Sequence, residues 1–356
     1  MKQQRDQEAA DCPAALARAP SASGLRADPG PILTPVAPLR TWRLRRLLLQ
    51  GLGALLSLAL LLWCAVLALQ RLRSGEVDAQ QVLQRAPLAA IELGGLTALS
   101  VLLSGLMFWC ALLPARRLAP LRVVAVNAVA SLAAFLPFKL SAFLRAAIHH
   151  RTDNLPFKTL IAWFATVGGM SILTLAPFAL ASLLFVRATA LWWGLAGATL
   201  LLAALACPRV AQGLARFAAM RTAFLGALPL LGCQRTVVAQ ISLRLLDMLA
   251  VAARFAIAAQ LVGSPIDIPA ALALAPIFVL VGSASPAGVL GAREGALAGL
   301  ATLPLAHGLT PQDVALVSLT VSAIEAGALL LMGVAAAVAL RLDRILLAPN
   351  AASSSD

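Results

Sequence analysis

Apolar residues fall in long runs separated by short basic or Pro/Gly-rich stretches. Runs of about 20 residues are long enough to cross a bilayer as helix. Six such spans are predicted, over residues 47–69, 89–113, 159–184, 190–206, 236–262 and 310–340. The last opens Thr310-Pro311-Gln312-Asp313, an N-cap, an N1 proline and an acidic third position.

Two further apolar segments are too short to span. Residues 123–136 number 14, about 21 Å of helix against a hydrocarbon core of roughly 30 Å. Pro137 and Lys139 follow, then a second short segment to Ile148, with His149, His150, Arg151 and Lys158 beyond it. Residues 269–281 and 293–305 are likewise short, on either side of the Gly/Ser/Pro/Ala-rich stretch 282–292. The flanks of the first pair are basic. Those of the second, 263–268 and 306–310, lack Lys and Arg. Re-entrant hairpins from opposite faces satisfy both observations.

The order is then span, span, hairpin, span, twice over, with the halves starting on opposite sides. The expected fold is an all-α polytopic membrane protein with six full transmembrane helices plus two re-entrant helical hairpins in an inverted-repeat arrangement. Residues 1–40, rich in Ala, Pro, Arg and Ser, are expected to be a disordered basic cytoplasmic tail. The membrane domain is expected over 41–346, with a C-terminal tail over 347–356. The run from Leu47 exceeds a signal-peptide h-region and is expected to stay as an anchor.

Composition agrees: of 356 residues 61% are hydrophobic, well above the half usual in soluble domains. The net charge of +13 would point to nucleic acid in a soluble chain. Here the basic residues cluster at span ends, as the positive-inside rule expects, and no nucleic-acid signature accompanies them. Arg40, Arg43, Arg45 and Arg46 before the first span, and Arg341 and Arg344 after the last, place both termini in the cytoplasm. The expected location is the inner (plasma) membrane. The five cysteines form no CxxC pair and read as small hydrophobes rather than disulfides or metal ligands. His149 and His150 read as interfacial loop residues. No metal site and no cofactor are expected.

Charges inside apolar sequence are costly and carry the functional expectation. Arg244, Asp247 and Arg254 fall within about an 80° sector of one helix at 100° per residue. Arg244 and Asp247 can pair, leaving Arg254 as surplus charge suited to a phosphate. A packing ion pair with a snorkelling Arg254 is the alternative. Arg293-Glu294 opens the second half of the outer hairpin. It reads as a substrate or gating pair, or Glu294 simply favours the helix N-terminus. Lys139 and Arg145 occupy the inner hairpin, as headgroup ligands or interfacial anchors. Glu325 sits midway along the last span, able to pair with Arg145 or Arg293 or to carry a proton. Pro137 and Pro286 mark the hairpin breaks; Gly288 and Gly291 suit a tight turn and close helix approach.

These two segments resemble the motifs of the membrane (flippase) region of the lysylphosphatidylglycerol synthase family. In the first, Leu136, Pro137 and Arg145 match at the family's spacing. Lys139 stands for its arginine, and Phe138, Ser141 and Ala142 stand for Gly, Gly and Glu. In the second, Pro286, Gly288, Gly291, Arg293, Glu294 and Leu297 match, with one extra residue between the glycines. The resemblance covers residues 45–345. It implies lipid translocation, or an accessory role in making a membrane glycolipid or isoprenoid lipid. Members that synthesise aminoacylated lipid carry a further soluble aminoacyl-transferase domain. None follows here, so that synthesis is not expected.

The leading expectation is a flippase or transporter-like protein, not an enzyme, for an anionic or polyprenyl-linked lipid. One alternative is a non-catalytic partner in glycolipid, hopanoid or aminoacyl-lipid biosynthesis; another is a membrane-embedded lipid transferase. The expected partners are membrane lipids with anionic headgroups, and not nucleic acid. A homodimer or a lipid-synthesis enzyme would be the protein partner.

Overall fold

A computed structural model describes residues 39–75, 79–135, 140–184, 190–217, 227–285, 289–302 and 309–343. Among these residues every regular element is a helix. In chain order they are α1 (Leu39–Arg73), α2 (Ala79–Leu112), α3 (Pro120–Leu132, extended by a 3-10 turn Ala133–Phe135), α4 (Leu140–Asp153), α5 (Phe157–Leu184) and α6 (Ala190–Leu214). Then come α7 (Ala227–Leu231), α8 (Gln234–Leu261), α9 (Ile268–Ala284), α10 (Ala292–Leu300) and α11 (Pro311–Ala339).

Five of these helices, α1, α2, α5, α6 and α11, are long and apolar enough to cross a membrane, and the described part of the chain is all-helical. Their outward faces carry large exposed hydrophobics such as Leu62, Leu202 and Leu331. In lipid the backbone and hydroxyl groups need internal partners. Ser and Thr hydroxyls accordingly donate to the carbonyl four residues back, as Thr97 does to Leu93, Ser171 to Val167 and Thr174 to Met170. Helix α8 is as long, 28 residues, but carries Arg244, Asp247 and Arg254 and falls outside that apolar set.

Local signals explain the helix starts. Thr310 caps α11 by accepting from the Asp313 amide, while the Asp313 carboxylate accepts from the Thr310 amide. Asp267 caps α9 by accepting from the Ala270 amide at 2.8 Å. The short elements α3, α4, α9 and α10, of 13, 14, 17 and 9 residues, come as the pairs α3–α4 and α9–α10, each packed on itself.

The packing has a regular plan. Helices α2 and α8 form the longest seam of the molecule. Around it, α2 packs on α3 as α8 packs on α9. The short helix α3 lies against α11, and α9 lies against α5. Likewise α1 packs on α11, and α6 on α5. The hydrophobic core gathers on the α5, α6, α8, α9 and α11 side, around Phe178, Trp192, Phe255 and Phe278.

Three local expectations change. The span expected over 190–206 runs on as α6 through Pro208 to Leu214. His149 and His150 lie on α4 rather than in a loop, with His149 fully buried. Its imidazole meets the Asp153 carboxylate at 2.7 Å and the Trp163 ring edge to face. Among the cysteines, Cys64, Cys110 and Cys207 are free thiols, whereas Cys233 is in a disulfide.

Candidate functional site

A cavity of about 400 Å³ lies between α2, α3, α4, α5, α8, α9, α10 and α11. Its wall carries four arginines, Arg145, Arg244, Arg254 and Arg293, and two carboxylates, Asp247 and Glu325. Six residues spread over 180 positions of sequence thus converge on one space. Serines and Thr97 supply hydroxyls around them.

Helix α8 positions three of the charges. Arg244, Asp247 and Arg254 recur at roughly helical spacing and are buried, on the side facing away from exposed Val238, Leu246 and Leu249. Arg244 donates to Asp247 at 2.8 Å and to the Ser171 hydroxyl of α5 at 2.5 Å. Arg254 does not snorkel: it is 4% exposed and donates to Glu325 at 3.2 Å, with longer contacts to Thr97 and Ser100 of α2.

Glu325 is the centre of the network. It accepts from Arg254 of α8 and from Arg293 of α10, each at 3.2 Å. Of the two expected partners the structure pairs it with Arg293. Arg145 instead donates to the Asn127 amide oxygen at 2.6 Å. Asn127, on α3, is itself held by its amide nitrogen donating to the Val101 carbonyl at 3.0 Å.

The two short-helix arginines share a second feature. Arg145 lies over the Phe108 ring at 3.9 Å, and Arg293 over the Phe278 ring at 4.0 Å. Each aromatic face supports a guanidinium without neutralising it.

Glu294 stands apart from the cavity. It is fully buried, accepts from the Gly291 amide at 2.7 Å, and takes a hydrogen bond from Ser322 of α11. It closes the N-terminus of α10 and ties that helix to α11. Gly291 has φ of +82°, and a Cβ there would lie 1.8 Å from the Ser57 carbonyl oxygen of α1. Only glycine fits where the backbone of α1 crosses the break. Pro137, Lys139, Pro286 and Gly288 lie outside the described residues.

Sequence reasoning missed Asn127, Ser171, and the Thr97 and Ser100 face of α2. The signal was present: Asn127 is the lone amide in an apolar run, and Thr97, Ser100 and Ser104 share a helical face. Comparisons of the chain with family models, with curated proteins and with solved structures return no match.

Proposed function

We propose that this protein binds the headgroup of an anionic membrane lipid in the arginine-lined cavity and carries it across the bilayer. The acyl chains stay in the hydrocarbon outside. One observation carries the reading: four arginines and two carboxylates converge on a cavity enclosed by apolar helices. An arginine placed mid-membrane costs roughly 2.5–3.5 kcal/mol on insertion scales. Four of them around one cavity favour a ligand role over simple packing.

In this reading α8 is a sixth crossing helix, its charges turned to the cavity and its apolar side to lipid. The pairs α3–α4 and α9–α10 are re-entrant hairpins entering from opposite faces. The matched packing around the α2–α8 seam supports an inverted repeat, with α1–α5 related to α6 and α8–α11. Both termini are cytoplasmic and the membrane is the plasma membrane. The sequence resemblance to the flippase region of lysylphosphatidylglycerol synthases points the same way.

Glu325 supplies the exchange step. Arg254 and Arg293 share the one carboxylate of Glu325, and an anionic headgroup competes with it for the same guanidinium groups. Binding that differs between the two arrangements is what a ligand-driven shift requires.

The test is reconstitution in liposomes with a fluorescent anionic lipid. Arg293→Ala is expected to slow translocation by about tenfold or more, the scale of one charge-assisted contact, while the protein stays folded in the membrane. A wild-type rate in folded Arg293→Ala protein rejects the reading.

A further inference from the structure

The charges lining the cavity do not balance, and the imbalance can be assigned to particular residues. Arg244 is matched by Asp247 at 2.8 Å. Arg254 and Arg293 share the single carboxylate of Glu325, so that trio keeps one positive charge. Arg145 has a neutral amide and an aromatic face for partners, and among the described residues no carboxylate lies within ion-pair distance of it. Two positive charges are therefore uncompensated on the wall of the cavity. All four guanidinium groups also hold buried donors without acceptors: the Nε atoms of Arg145, Arg244, Arg254 and Arg293, and Nη2 of Arg293. Arg254 and Arg293 are 4% and 5% exposed.

From this imbalance we propose that the ligand is a phosphate monoester, carrying two charges and three terminal oxygens, rather than a phosphodiester carrying one charge and two. This deepens the anionic-headgroup reading above and rests on it. At neutral pH a monoester carries about −1.5 to −2, which matches the surplus. Its three oxygens offer acceptors to several of the guanidinium groups that line the cavity, in the bidentate geometry that arginine favours. A phosphodiester would leave one guanidinium uncompensated, at the desolvation cost of an unpaired charge. The same chemistry is presented by a lipid phosphate and by free inorganic phosphate.

The test uses the full-length protein in phosphatidylcholine nanodiscs. Short-chain phosphatidic acid (monoester) and phosphatidylglycerol (diester) are compared by displacement of a fluorescent anionic lipid. At about pH 8 phosphatidic acid is expected to bind about tenfold or more tightly; at about pH 5, where it holds a single charge, the two are expected within about twofold. The titratable groups facing the ligand are Arg145, Arg244, Asp247, Arg254, Arg293 and Glu325, and phosphatidylglycerol, whose own charge is constant, reports any titration among them. Asn127→Asp places a carboxylate where Arg145 now meets an amide and removes one surplus charge. It is expected to bring the ratio at pH 8 to about twofold or less with the thermal transition retained, whereas Arg145→Lys keeps the charge and keeps the preference. Equal affinities at pH 8, or a preference indifferent to pH, overturn the monoester assignment and leave the anion reading standing. Binding of neither lipid overturns the anion reading itself. Displacement of phosphatidic acid by millimolar inorganic phosphate supports the assignment with free phosphate as the source; retention of the lipid supports it with a lipid phosphate.

Discussion

Arg293 and Glu325 meet at 3.2 Å across the interface of α10 and α11, 32 residues apart in sequence. Arg254 reaches the same carboxylate from α8, so one Glu bridges a short helix and two long ones. Two guanidinium groups held by one carboxylate form a pairing that another anion can enter.

Removing that carboxylate charge should separate binding from turnover. Glu325→Gln keeps the shape and an acceptor oxygen but frees both arginines for a headgroup. The expected result in liposomes is anionic lipid affinity at or above wild type with translocation slowed about tenfold or more. If Glu325→Gln translocates as fast as wild type, the exchange mechanism is wrong and the residue is structural.

Gly291→Ala should fail for a backbone reason. It places a Cβ 1.8 Å from the Ser57 carbonyl oxygen at a φ of +82°. Strain of about 1–3 kcal/mol from the dihedral adds to a clash with main chain that cannot rotate away. Gly299→Ala, within α10, meets nothing within 4 Å. Thermal unfolding in detergent is expected to show a large loss for the first and almost none for the second; equal transitions would remove the argument.

At the end of α4, burial raises the Asp153 carboxyl pKa, but the hydrogen bond from His149 and the charge of Arg122 outweigh it, and the net shift is downward. The folded state therefore holds the carboxylate more strongly than the unfolded chain does. Its stabilisation is present above the ordinary carboxylate pKa of about 3.9 and fades as pH falls through the lower folded value. Asp153→Asn should be less stable than wild type near neutrality, with the gap closing in strong acid. A gap that stays constant down to about pH 2 contradicts this.

Topology can be tested at one position in or beside each short-helix pair. Single cysteines at position 150, in place of exposed His150 on α4, and at position 266, before α9, are expected to label from the inside and the outside respectively. Outside labelling at 150 or inside labelling at 266 would require a different orientation.

The long apolar helices were legible in the sequence because burial in lipid demands unbroken runs of about 20 apolar residues, a local property. So were the short segments, the cap of α11 at Thr310 and the glycine at the break, which depend on neighbours within a few positions. That Arg244 pairs with Asp247 also follows from helical spacing alone. The distant partnerships did not: nothing local says that Glu325 takes Arg254 and Arg293 while Arg145 goes to Asn127. Nor does it say that Glu294, beside Arg293 in sequence, turns away to hold Gly291 and Ser322. Consecutive residues on a helix point about 100° apart, so only the packing of the surrounding helices decides which one reaches the cavity. His149 shows the same limit in reverse. A histidine pair flanked by charge reads as surface, yet Asp153 one turn along α4 and Trp163, brought over by the turn into α5, leave His149 fully inside.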